Sequence, residues 1–221
     1  MIEERVNYAL KIFFNLEKFR YTAGETTYNI LEKSKKGKTR LIVNVGTSDS
    51  ICFNEYDGFP KWEILVEKKD TGMRKCIDHF ILKKNALGVW ELHIFEMKTT
   101  VGFKTWKNIQ YKLRASYLSI KALAVYLGIS IQDENITVYT TYEQDRFDIS
   151  NMNNPKIVVP PVGSRAMDVK KHQWDGDFIH VPIIVSENNE LHFLKFIKLR
   201  HKKIQMNRAD DGFLEKTIFL N

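Results

Sequence analysis

Hydrophobic and polar positions alternate with period two in several stretches of the chain, and elsewhere they repeat with a helical period. Lys75 to Leu82 and Trp90 to Lys98 are rich in aromatic and aliphatic residues and alternate in side-chain character, which predicts two strands. Between them, Asn85-Ala86-Leu87-Gly88 is turn chemistry. Lys61 to Glu67 is a further strand candidate, joined to the Lys75 run through the turn signal Asp70-Thr71-Gly72. Ile109, Leu113, Ile120, Leu123 and Leu127 fall at helical spacing and predict a helix from Trp106 to Gly128, with Gly128 as its stop. Residues 4–19 read as a helix in front, and the β-branched run Ile136 to Tyr142 reads as a strand beside the sheet. The predicted class is α/β: helix, three-strand meander, helix, strand.

Beyond Asn151 the pattern changes. Two loop signals, Asn151 to Pro155 and Pro160 to Ser164, flank the short apolar run Ile157-Val158-Val159. Phe178 to Val185 and Leu191 to Ile197 read as a second hairpin turned at Asn188-Asn189, with Pro182 marking an edge or a bulge. The organisation expected is a core over residues 1–150 and a small β-rich C-terminal lobe over 151–221, as an extension or as part of the same domain. The pattern shows no internal repeat and no low-complexity segment.

The turn between the two runs sets their register. If Ala86, Leu87 and Gly88 form a three-residue loop with Gly88 left-handed, Asn85 faces Val89. Counting outward, Leu82 then lies opposite Leu92, Phe80 opposite Ile94, and Asp78 opposite Glu96. Period two puts Cys76, Asp78, Phe80 and Leu82 on one face with Trp90, Leu92, Ile94, Glu96 and Lys98. A loop one residue shorter or longer separates Asp78 from Glu96. Two facing acids beside an apolar surface repel when ionised and carry a desolvation cost. A divalent cation offsets both, and carboxylate oxygens suit magnesium, with manganese able to substitute. Lys98 would then orient or deprotonate an attacking water and balance charge on a phosphate.

An acid on one strand, followed after a hairpin by acid-any-lysine, resembles the PD-(D/E)XK nuclease superfamily, whose fold is restriction-endonuclease-like. In that resemblance Asp78 is the first acid and Glu96 and Lys98 are the second motif. It implies that Asp78, Glu96 and the backbone carbonyl of Met97 hold magnesium, and that a nucleic-acid phosphodiester is cleaved, commonly leaving a 5′-phosphate. Ile77 stands where many members carry proline. The acid-any-lysine pattern recurs at Glu67 and Lys69, but that copy has no acid on a preceding strand and runs into a turn, so it reads as a solvated strand end. Taken alone, Glu96 and Lys98 read equally as a charged strand end. The order of the surrounding elements favours chemistry.

Lys107, Arg114 and Lys121 share nearly one face of the predicted helix at seven-residue spacing. With Lys104 on the loop before it, they are candidates for phosphate contacts, and for Lys121 the solvated side of an amphipathic helix is the stronger reading. Gln110 is a candidate by resemblance, since some family members place glutamine early in this helix; the companion tyrosine four residues on is replaced by Arg114. Some members also carry a glutamate on the first helix, for which Glu17, Glu25 and Glu32 compete. A basic cluster, Lys195, Lys198, Arg200, His201, Lys202 and Lys203, is either a nucleic-acid contact or the wet side of a small sheet.

Composition supports these readings without selecting among them. The 221 residues are 43% hydrophobic and 12% aromatic, enough for a real core. A formal charge of +7 and a pI near 9.2 favour a polyanionic partner, expected to be DNA. Two cysteines, Cys52 and Cys76, are too few for a disulfide framework, and the absence of a membrane-length apolar run or signal-like start predicts a cytoplasmic protein with no membrane partner. His79 and His93 project from the face opposite the acids, and the scattered His172, His180, His192 and His201 form no zinc spacing. Neither a P-loop nor a nucleophile elbow is present. The expected activity is a magnesium-dependent deoxyribonuclease, an endonuclease that would act as a homodimer if it cuts both strands. The competing class is a non-catalytic module that binds nucleic acid or a protein partner on the same kind of fold.

Overall fold

A computed structural model describes residues 4–13, 20–34, 37–56, 75–147, 171–182 and 196–220. The first helix, α1 (Glu4–Phe13), buries Val6, Ala9 and Leu10, which fall on one stripe of its surface. A short strand, β1 (Tyr21–Ala23), precedes a hairpin of β2 (Thr27–Ser34) and β3 (Gly37–Asn44), paired from Thr27↔Asn44 to Ser34↔Gly37. Then come β4 (Ser50–Phe53), β5 (His79–Lys84) and β6 (Trp90–Met97), an antiparallel meander. The first strand of that meander is therefore Ser50–Phe53. The sequence reading put it at Lys61 to Glu67, a stretch outside the described residues.

After the two-residue strand β7 (Thr100–Val101) comes α2 (Phe103–Tyr126). It leads to β8 (Ile136–Tyr142), which pairs parallel to β6, and then to β9 (Gln144–Asp145) beside β7. Beyond a helical turn at 171–175 lie β10 (Phe178–Pro182), β11 (Phe196–Gln205), β12 (Asn207–Arg208) and β13 (Leu214–Phe219). The result is a mixed seven-stranded sheet in the order β1-β4-β5-β6-β8-β11-β10, and a four-stranded sheet in the order β12-β13-β3-β2. The C-terminal strands are built into these two sheets: β11 lies parallel to β8, and β13 lies parallel to β3. Of the predicted second hairpin, β10 and the start of β11 are antiparallel partners, its turn at Asn188-Asn189 lies outside the described residues, and Lys198 to Lys203 of the basic cluster lie within β11.

Both faces of the large sheet are covered, which is why β5, β6 and β8 are buried almost throughout. On one face Phe80, Leu82, Leu92, Ile94 and Val138 meet Trp106, Ile109, Leu113 and Ile120 of α2 and Val6 and Leu10 of α1. On the other, Ile81, Phe95, Met97 and Tyr139 meet Tyr28, Ile30, Leu41 and Val43 of the small sheet. Each fully buried aliphatic side chain contributes about 2 kcal/mol. The helix ends as read from the sequence, with Gly128 left-handed at φ +68°. No helix among the described residues is long and apolar enough to cross a membrane.

Candidate active site

The β5–β6 turn has the expected form. Asn85 N–H donates to the Val89 carbonyl at 2.9 Å, Gly88 N–H donates to the Asn85 carbonyl at 2.9 Å, and Gly88 has φ +76°. The register follows: Leu82↔Leu92, Phe80↔Ile94 and His79↔Phe95. Asp78, one residue before β5, continues this ladder to the row of Glu96. Asp78 Oδ2 accepts the Met97 N–H at 2.7 Å, which fixes the carboxylate at the end of the strand pair.

Lys98 completes the cluster. Its Nζ lies 2.6 Å from Glu96 Oε1, 3.3 Å from Asp78 Oδ2 and 2.6 Å from the Met97 carbonyl oxygen. The three oxygens predicted to hold a metal thus converge on one cationic nitrogen. Two carboxylates and a carbonyl are hard oxygen donors, and here they surround the Lys98 ammonium. Among the described residues, no three His, Cys, Asp or Glu side chains group together in a way that could hold a metal.

The structure adds a member that the sequence reading missed. Lys112, on the α2 face turned to the sheet end, places Nζ 3.0 Å from Asp78 Oδ1 and 2.8 and 3.1 Å from the two oxygens of Glu96. Two acids are therefore balanced by two ammonium groups, with Glu96 fully buried. Burial raises the Glu96 pKa, as does the negative charge of Asp78. Burial also pushes Asp78 upward, but Lys98, Lys112 and the Met97 N–H outweigh it, so its pKa falls below the usual carboxylate range. Burial works against the charge on Lys98 and Lys112, yet the two acids prevail and both lysines are raised. In this arrangement both amines are held as proton donors.

Of the two competing glutamates among the described residues, Glu32 is the one that feels the charges of this cluster. It lies on β2 and not on a helix, and it extends the inward row of Tyr28 and Ile30. Burial, reinforced by Asp78 and Glu96, pushes its pKa up to about 7. Glu25 is exposed, its carbonyl accepting from Ser50 Oγ at 2.7 Å, and Glu17 lies outside the described residues.

The remaining sequence candidates divide. Lys104 and Lys107 are exposed on the first turns of α2. Gln110 and Arg114 are buried, Gln110 hydrogen-bonding to Gln173 and Arg114 lying over the Tyr111 ring. Lys121 bonds to Asp133 at 2.7 Å and to the Tyr117 hydroxyl at 3.3 Å, tying α2 to the loop after it. Alternation along β11 splits the basic cluster: Lys198, Arg200 and Lys202 are exposed, His201 is buried against Trp106 and Trp174, and Lys203 pairs with Asp175 at 2.7 Å. Lys195 lies outside the described residues. His79 and His93 face away from the acids, and burial lowers the His79 pKa to about 4. The two cysteines are free, Cys52 buried and Cys76 packed at the edge of the core.

Compared with protein-family models, curated proteins and solved structures, the chain matches none of them.

Proposed function

We propose that the protein is a magnesium-dependent nuclease with a restriction-endonuclease-like core of the PD-(D/E)XK type, cleaving phosphodiester bonds in DNA as an endonuclease. The observation that carries this reading is the convergence of Asp78, Glu96 and the Met97 carbonyl on a single cation position, held there by the register of β5 against β6. Part of the order of elements supports it: the antiparallel meander β4-β5-β6 is followed by α2 and by β8 parallel to β6, whereas β1 and the β2–β3 hairpin stand between α1 and that meander. Asp78, Glu96 and the Met97 carbonyl would hold magnesium or manganese. The bound ion supplies charge neutralisation at the phosphate and a more acidic water.

The chain's own residues do the rest. Lys98 would present its ammonium to the attacking water and to a phosphate oxygen, where developing negative charge is stabilised. Lys112 stays between the two carboxylates and holds them in place. Glu32, with a pKa near neutrality, feels the charges of Asp78, Lys98, Glu96 and Lys112.

A second reading rests on the charge balance of the cluster. Two acids matched by two lysines are neutral without any ion, which suits a binding module that recognises nucleic acid or a protein without cutting. Cleavage assays on plasmid, linear duplex, single-stranded DNA and RNA with magnesium or manganese separate the two. The nuclease reading expects cutting by the parent that Asp78→Ala and Lys98→Ala both lose. Absence of cutting on every substrate, with DNA bound equally by all three proteins, overturns it in favour of the binding module.

A further inference from the structure

Beside the acid cluster, cations gather around one aromatic ring. Lys75 Nζ lies 5.3 Å from the centroid of Tyr111, Lys107 Nζ 5.9 Å, and the Arg114 guanidinium 5.0 Å. Each contact is a cation over an aromatic ring, and the three together hold like charges at close quarters. Lys75 is fixed by Asn108 Oδ1, which accepts its Nζ at 2.6 Å. Burial lowers the Lys75 pKa, and the charges of Lys112 and Arg114 lower it further. Among the described residues no carboxylate pairs with Lys75 or Lys107. Among the described residues these two ammonium groups therefore keep their charge without a carboxylate partner.

The place of this group relative to the acids is fixed by two short connections. Lys75 lies three residues before Asp78 on a segment whose Ile77 N–H donates to Ser116 Oγ of α2 at 2.9 Å. Tyr111 immediately precedes Lys112, which bonds both acids. We infer that Lys75 and Lys107, gathered by Tyr111, form a subsite for a backbone phosphate of a polynucleotide strand, next to the phosphate that would sit at Asp78 and Glu96. This rests on the nuclease reading of the neighbouring site. Tyr111 is a positioning residue in it, since its ring keeps the ammonium groups together.

The test is fluorescence anisotropy of a labelled single-stranded oligodeoxynucleotide in EDTA, titrated with salt, beside cleavage in magnesium. Lys75→Gln with Lys107→Gln should bind about tenfold more weakly, with a salt slope lower by about one, because contacts to phosphate release counterions. Tyr111→Ala should reproduce part of that loss and Tyr111→Phe should restore it. Lys107→Gln alone, at an exposed position, gives the same direction if the double variant folds poorly. Unchanged affinity and slope, or no DNA binding by the parent, overturns the subsite. Cleavage by the parent that the double variant retains in full overturns the subsite and leaves the nuclease standing. Weakened binding by the variant beside no cleavage by the parent supports the subsite and removes the nuclease.

Discussion

The β5–β6 hairpin carries a buried charge cluster at each end, and the two are neutralised in different ways. At the turn end, Lys83 donates to the Leu220 carbonyl at 2.7 Å and lies 3.5 Å from Glu91. Glu91 also accepts from Asn85 at 3.0 Å, and His93 Nδ1 sits 3.1 Å from the Tyr139 hydroxyl. His93, whose Nε2 lies 3.5 Å from Glu91 Oε2, pulls the Glu91 pKa down to about 2, with Asn85 and Lys83 adding to it. At the open end, burial and a facing acid push Glu96 the other way. At the turn end the ionised acid is preferred. The other end holds two carboxylates side by side and balances them with Lys98 and Lys112, and it is there that the proposed ion would sit.

The comparison breaks if both ends respond alike to the same chemical change. Neutralising an acid without changing its shape gives the largest expected difference. Glu96→Gln should lower the cleavage rate by about a thousandfold, since it removes a metal ligand and a partner of both lysines. Glu91→Gln should leave the rate within about twofold. Initial rates on plasmid DNA, with circular dichroism to establish folding, decide between them. A comparable loss in both variants would mean that the two ends play the same part.

Stability should rank the two ends in reverse. Lys83→Met leaves the Leu220 carbonyl and Glu91 without their ammonium in a buried setting, at a cost of about 3 kcal/mol. A urea midpoint lowered at unchanged slope would show it. Added magnesium should raise the melting temperature of the parent and of Lys83→Met by the same amount, about 2.7 kcal/mol in free energy at a hundred times the dissociation constant. Asp78→Asn with Glu96→Gln should not respond to magnesium at all. A magnesium shift in that double variant would place the ion elsewhere.

What could be read beforehand about these ends follows from which interactions are local. The facing of Asp78 and Glu96 depends on period two and on one turn, both written in consecutive residues, with Gly88 giving the register. The helix and the parallel strand after it were legible for the same reason. Lys112 was not, because helical spacing tells which residues share a face and not which strand end that face meets. The strand Ser50–Phe53 has all four residues buried and so shows no alternation to reveal it. Glu32 sits in a hairpin whose inward row, Tyr28 and Ile30, is recognisable only once β3 is known to pair with it. Gln110 and Arg114 carried polar side chains on a helix, and only the packing of 171–175 and Tyr111 shows that they turn inward.

Smaller effects on pH sharpen the same contrast. The Glu32 pKa stands at about 7 in the folded protein against 4.5 for the free group. Between those values the unfolded chain releases a proton that the folded protein keeps, so this group costs stability as pH rises from 4.5 to 7. Glu91, at about 2 when folded, loses its contribution only as pH falls from 4.5 toward 2. Glu32→Gln should therefore flatten the dependence of the melting temperature between pH 4.5 and about 7, and Glu91→Gln should change it only below pH 4.5. His79, near 4 when folded against 6.5 when free, adds an opposite slope below pH 6.5 in every variant and cancels in the comparison.

The smallest expected effect concerns the turn that sets the whole register. Gly88 holds φ +76°, and a Cβ placed there meets no atom within 4 Å, so the cost of Gly88→Ala is backbone strain alone, about 1 kcal/mol. The two bonds between Asn85 and Val89 and between Gly88 and Asn85 survive the change, because neither uses a side chain of residue 88. Asp78 therefore stays opposite Glu96. The variant should melt a few degrees lower and cleave at the parental rate in magnesium. A large loss of cleavage from so small a change, with the fold intact by circular dichroism, would mean that the strand pair slips when its turn is strained, and that the open end depends on the turn end for more than its register.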